Sequence, residues 1–150
     1  MYDFTIKGLF NANVKDVYNA FYHPELVSKW FGPNNLKVSS FISNFIEGGQ
    51  YRVVLQSPDA FQQTVIGVYN TIEHEKELSF TWRWDDTNEM SKVSVIFSMQ
   101  PNLTTFVKLS QSGFKTEQEM LQQQYGWMNS LEKLTLTMRN LRLTNQTLVA

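Results

Sequence analysis

The sequence predicts an α+β fold: a curved antiparallel sheet of about seven strands wrapped on one long C-terminal helix, with two short helices after the first strand. Three observations predict it. Six strand-like runs between residues 36 and 112 are separated by turns too short for crossover helices, which argues an antiparallel meander. One apolar stripe at helical spacing runs through the last part of the chain. Between the first strand-like run and the other six stands a segment with helix-capping chemistry.

Residues 3–10 alternate in the strand manner, with Phe4, Ile6 and Gly8 against Thr5, Lys7 and Leu9. Asn13 then offers an N-cap, and Val14, Val17, Tyr18 and Phe21 follow at helical spacing. His23-Pro24 interrupts this helix. Because proline is tolerated at a first helical position and not inside, a second short helix is expected over 24–30, stopped by Gly32-Pro33. The strand-like runs follow at 37–45, 50–57, 64–73, 77–84, 91–99 and 104–112. Gly48-Gly49, Ser57-Pro58-Asp59, Asp85-Asp86-Thr87-Asn88 and Pro101-Asn102 mark turns between them.

From about Thr116 the chain reads as one helix. Thr116 can cap it, with Glu117 and Glu119 in the first turn. Its stripe is Met120, Trp127, Leu131, Leu134, Met138 and Leu141. Residues 144–150 read as a frayed tail. With no linker, repeat or low-complexity tract, residues 1–143 are expected to form a single domain. An antiparallel sheet must cover one face, and only the final helix is long enough to do so. That is a helix-grip arrangement, in which the curved sheet leaves a concavity against the helix.

Composition excludes several function classes. The 13 basic and 14 acidic residues leave a net charge of −1, and no basic run stands out, so nucleic acid and anionic membrane are not expected partners. There is no cysteine, hence no disulfide, thiolate metal site or cysteine nucleophile. The N-terminal residues lack the basic and apolar regions of a signal peptide, and a cytoplasmic location is the expectation. His23 and His74 lie at turns and are expected to face solvent; with so few imidazoles, no metal site is expected. Asp85 and Asp86 are adjacent on a strand end and point to opposite sides, which suits a hydrated turn better than acid–base work. Gly48-Gly49 lacks the spacing and lysine of a phosphate loop, and no nucleophile motif is present. No catalytic residue and no cofactor are assigned.

Several motifs carry a resemblance. The order Phe21, His23-Pro24-Glu25-Leu26, Lys29-Trp30-Phe31-Gly32-Pro33 resembles the F-x-x-P-E-x-x-x-x-W-W-G-P opening of one branch of the START-like (SRPBCC) superfamily. This branch is named after the activator of the heat-shock protein 90 ATPase. Gly48-Gly49-Gln50-Tyr51-Arg52, Gly67-Val68-Tyr69, the run 78–86, Ser112-Gly113-Phe114 and Gly126-Trp127 match in the same order. The resemblance covers residues 4–141 and implies a START/Bet v 1-like helix-grip fold with a central cavity. The chain departs from it at Asn44 and Ile46, where many relatives carry an acidic residue and an arginine. The superfamily's activities range from lipid carriers and receptors to cyclases and co-chaperone domains, so the fold leaves the activity open.

The residues themselves point to a pocket. The chain holds 11 Phe, 6 Tyr and 4 Trp, more rings than a core requires. Alternation puts Phe80, Trp82 and Trp84 on one strand face, and Tyr51, Tyr69 and Phe97 on matching faces of neighbouring strands. With Trp30 and Phe31 from the second short helix and Trp127, Met128 and Leu131 from the long one, they form the expected cavity lining. Arg52 and Arg83 fall on the opposite face. A filled aromatic core is the simpler account, since each buried ring stabilises by roughly 2–3 kcal/mol. Gly126 costs a helix about 1 kcal/mol against alanine, which a close approach of sheet or ligand explains as well as packing does.

Three functions are weighed. First is a module holding a small apolar or aromatic molecule, as a monomer or homodimer. Second is a cyclase- or lyase-type enzyme, which needs a titratable group such as Glu47 or Asp85 turned inward. Third is a chaperone partner, disfavoured because the chain carries only this one domain.

Overall fold

The structure is a computed structural model that describes the backbone of residues 1–149 and the side chains of residues 1–144. Its elements are β1 (Tyr2–Phe10), α1 (Val14–Asn19), α2 (Pro24–Trp30), β2 (Lys37–Ser43), β3 (Gln50–Gln56), β4 (Gln62–Glu73), β5 (Glu77–Trp84), β6 (Ser91–Gln100), β7 (Thr104–Phe114) and α3 (Glu117–Val149). The strands form one antiparallel sheet in the order β1-β7-β6-β5-β4-β3-β2. The two short helices carry the chain from one sheet edge to the other, and a plain meander brings it back. This is the expected α+β helix grip.

Local chemistry starts the helices as the sequence predicts. Asn13 Oδ1 accepts from the Asp16 N–H (2.9 Å), and Thr116 Oγ1 accepts from the Glu119 N–H (3.2 Å). Pro24 takes the first turn of α2. Trp30 ties the small helices together, its indole N–H donating to the Ala20 carbonyl (2.9 Å).

Strand ends differ from the alternation reading by a few residues. β4 starts at Gln62, because Gln62 still pairs with Gln56. β7 continues to Phe114, which pairs with Tyr2 and stacks on Phe4 at 6.0 Å between ring centroids. Register shifts between Val38 and Ser40 and between Tyr69 and Thr71 mark bulges, which raise local twist and bend the sheet around α3.

Trp127, Leu134 and Met138 of α3 are buried against the sheet, with Met120, Leu131 and Leu141 packed beside them. The outer face of the helix is less polar than the stripe alone suggests: Leu121, Tyr125 and Leu136 are exposed there. The expected frayed tail at 144–150 falls, beyond Thr144, on side chains outside the described residues; the backbone of α3 continues to Val149. Among the described residues, no helix is long and apolar enough to cross a membrane.

Candidate ligand-binding site

Rings fill much of the space between sheet and helix. At the end closed by α1, Tyr18 and Phe21 meet Phe97 edge-on, each at 5.3 Å. Further along, Tyr51 packs against Tyr69 (5.4 Å) and Phe80 (5.5 Å). Tyr51 and Tyr69 spend their hydroxyls internally. Tyr51 donates to the Thr81 carbonyl at 2.5 Å, and Tyr69 shares a hydrogen bond with Ser43 Oγ at 2.7 Å. Burial pushes the Tyr51 phenol well above its ordinary pKa and raises that of Tyr69 too. Among these rings remains a void of only about 30 Å³, room for little more than water.

Gly67 belongs to this packing. A side chain there would collide with the Thr81 carbonyl oxygen and the Tyr51 ring, so glycine is what lets Tyr51 lie flat across β4.

The larger space opens at the other end, where β5 turns into β6 and β7 leads into α3. It is a recess of about 380 Å³, within the range of small-molecule sites. Phe31, Trp82, Trp84 and Trp127 form its apolar walls. Gly126 faces it from α3, with Pro33 opposite: a Cβ on Gly126 would stand 3.7 Å from the Pro33 ring, an ordinary contact. Packing alone therefore does not demand glycine at 126.

The polar groups at the base are arranged in a chain. Gln111 is fully buried; its Oε1 accepts from the Trp127 indole N–H and its Nε2 donates to Ser91 Oγ, both at 2.8 Å. The loop carrying Phe31 is clasped by α3. The Gly32 N–H donates to Ser130 Oγ (3.2 Å), Lys133 Nζ donates to the Gly32 carbonyl (2.7 Å), and the Asn34 N–H donates to Asn129 Oδ1 (3.3 Å). Burial, and secondarily the charge of Lys37, lowers the Lys133 ammonium pKa. Glu89 and Glu119 are the carboxylates in the lining, and Glu89 stands 3.5 Å from Lys115.

Against this geometry a family model describing the Activator of Hsp90 ATPase homolog 1-like protein matches residues 11–139. The chain belongs to this family. Several solved structures overlay it closely. A protein from Nitrosomonas europaea aligns with a TM-score of 0.81 at 19% identity, over 94% of this chain and 96% of that one. One from Chromobacterium violaceum gives 0.82 at 18%, over 91% and 96%. The AHSA1 protein from Silicibacter pomeroyi gives 0.80 at 20%, over 95% and 99%. At such identities the likeness establishes the fold. No curated protein matches the sequence.

Within this Activator of Hsp90 ATPase homolog 1-like domain, the residues expected to line a cavity divide into three groups. Phe31, Trp82, Trp84 and Trp127 line the recess. Trp30, Tyr51, Tyr69 and Phe80, again with Phe31, Trp82 and Trp127, surround the small void. Phe97, Leu131 and Met128 line neither space. Met128 is a correction: it is 51% exposed, because it follows Trp127 by about 100° around α3. Arg52 faces solvent, and Arg83 donates to the Thr87 carbonyl (2.6 Å) at the turn.

Neither acid weighed for catalysis turns inward. Glu47 is exposed and accepts from the Ile72 N–H (3.0 Å), and Asp85 lies in the exposed turn. His23 is exposed, and His74 is exposed beside Glu75 with its ring edge-on to Tyr18. Among the described residues, no three His, Cys, Asp or Glu side chains converge as a metal site.

Gln111 continues the inward series of Val107 and Leu109, a polar residue at a buried register position. Gln123 and Ser130 flank Trp127 at helical spacing on the face turned to the recess. Glu89 and Glu119 come from a turn and a helix start, and only the tertiary fold brings them together.

Proposed function

We propose that the protein is a small-molecule binding module that holds an apolar, ring-bearing ligand in the recess walled by Phe31, Trp82, Trp84 and Trp127. The observation that supports this best is the contrast within one core. Most of its rings are packed on one another, while three indoles stand around about 380 Å³ of open space. A ligand there gains stacking area that a filled core has already used. The reading takes the cytosol as its compartment and needs no cofactor.

A thermal-shift screen of hydrophobic ring compounds, with native mass spectrometry of the hits, tests it. A ligand at about 100 times its Kd stabilises the fold by about 2.7 kcal/mol, a readily seen shift in Tm. Trp84→Ala, which removes a wall that is not fully buried, is expected to abolish the shift while the protein stays folded. A screen without a hit, or hits indifferent to this substitution, sinks the proposal.

A cyclase- or lyase-type reading rests on Glu119 as the carboxylate near the indoles, and unchanged turnover in Glu119→Gln would remove it. The family's name suggests a chaperone-ATPase partner, which a pull-down and an ATPase assay address directly.

A further inference from the structure

Trp82 lies between the recess and the inner void and lines both. Its indole N–H is buried and has no hydrogen-bond partner among the described residues. Two other buried indoles are satisfied, Trp30 by the Ala20 carbonyl and Trp127 by Gln111. A buried donor left bare is costly, and folded proteins retain few of them. An acceptor brought to Trp82 recovers that cost, so the bare N–H selects for a ligand that carries one.

Charge narrows the class further. The recess lining holds Glu89 and Glu119 and no lysine, arginine or histidine. Lys115 is engaged at Glu89, and Lys133 is turned to the Gly32 carbonyl. An anion entering here loses its hydration and meets no free counter-charge.

Phe31 stands between the two spaces, 5.8 Å from the Trp82 ring and 5.8 Å from the Trp127 ring. The backbone following it is held by the three hydrogen bonds to α3, and its ring is only half-buried. The ring, rather than the backbone, is the part that yields to an entering molecule.

Building on the reading of the recess as a ligand site, we infer that the ligand is an uncharged ring compound with a hydrogen-bond acceptor at its inner end, a carbonyl oxygen being the simplest. It displaces the Phe31 ring and accepts from the Trp82 N–H.

Three near-isosteric probes test this on the whole chain: 2-ethylnaphthalene, 2-acetylnaphthalene and 2-naphthoate. The acetyl compound is expected to bind about tenfold tighter than the ethyl compound, the worth of satisfying one buried donor. The naphthoate is expected to bind at least about tenfold more weakly than the acetyl compound. In Trp82→Phe the ratio of acetyl to ethyl affinity falls to about one, whatever the smaller ring does to both affinities together. Because this variant alters a core ring, a second readout uses the unaltered protein: the Trp82 indole N–H proton resonance shifts downfield with the acetyl compound and not with the ethyl one. Equal ethyl and acetyl affinities, a shift at another indole instead, or naphthoate binding as tightly as the ketone would overturn the inference and leave the recess standing as a ligand site. Failure of all three probes, together with an empty general screen, overturns both.

Discussion

Gln111 shows how one polar side chain can hold a ring-lined site in shape. Its carboxamide has one acceptor and one donor committed, to Trp127 and to Ser91, inside a fully buried position. Replacing it with leucine preserves bulk but leaves the Trp127 N–H without its acceptor. Gln111→Leu is expected to lose about 1–3 kcal/mol in a urea or guanidinium titration. A loss below about 0.5 kcal/mol would mean that the carboxamide does not anchor the indole. Such a residue was legible in part: inward alternation on β7 reaches position 111, and a glutamine there calls for partners. Which partners it finds was not legible, because Ser91 and Trp127 come from elements that only the sheet order and the α3 crossing bring near. Trp82 is the complementary case. Its inward direction follows from β5 alternation, whereas its lack of an acceptor depends on every neighbouring backbone group.

At the scale of elements, α3 both covers the sheet and shapes the recess. Its core stripe, Trp127 included, was readable from spacing, as was its cap at Thr116. The angular position of Met128 was readable too, since a residue one step past a buried one lies well around the helix. Met128 is next to Trp127 in sequence but off its helix face, and it is exposed. Gly126 gives the element-level test. Its Cβ would make only ordinary contact with Pro33, and a mid-helix glycine costs about 0.5–1 kcal/mol relative to alanine. Gly126→Ala is therefore expected to stabilise the chain by about that amount in thermal unfolding, while weakening ligand binding through the lost space. Destabilisation instead would show that α3 sits closer to the Pro33 loop than these distances allow. The clasp between residues 32–34 and α3 was hidden from sequence reading, because its bonds join groups 95 to 101 residues apart.

For the whole molecule, the buried phenols set an alkaline limit. Tyr18 is pushed up to about 12, first by burial and then by Tyr22 and Glu75; Tyr51 is well above the ordinary 10.0, and Tyr69 is raised by burial against the opposing hydrogen bond from Ser43. The folded chain keeps these groups protonated, whereas the unfolded chain releases their protons from about pH 10. Their contribution is intact below pH 10 and is lost as pH rises through the folded values. Denaturant midpoints are expected to stay flat with respect to these groups up to about pH 9 and to fall between about pH 10 and 12, with the tyrosinate of these three rings appearing together with unfolding. Tyrosinate appearing in the folded state at pH 10 from these three rings would contradict their burial. The fold class itself was legible at this scale from strand count, turn chemistry and one helix; the volume and position of the recess were not, since they depend on how rings from several elements share one space.

The sheet order has a temporal meaning. β1 is made first, yet among the described residues its one strand partner in the sheet is β7, and the bond between Thr5 and Ser110 closes a separation of 105 residues. At about 5–20 residues per second, synthesis leaves that first strand without a partner for several seconds while the meander from β2 onward assembles beside it. A growing chain of this design therefore presents an open, half-apolar strand edge to its surroundings, the kind of surface that pairs with other chains. Chains ending before Thr104 are expected to aggregate or be captured by chaperones, and chains released after α3 to be soluble, as a sedimentation assay on arrested translation products would show.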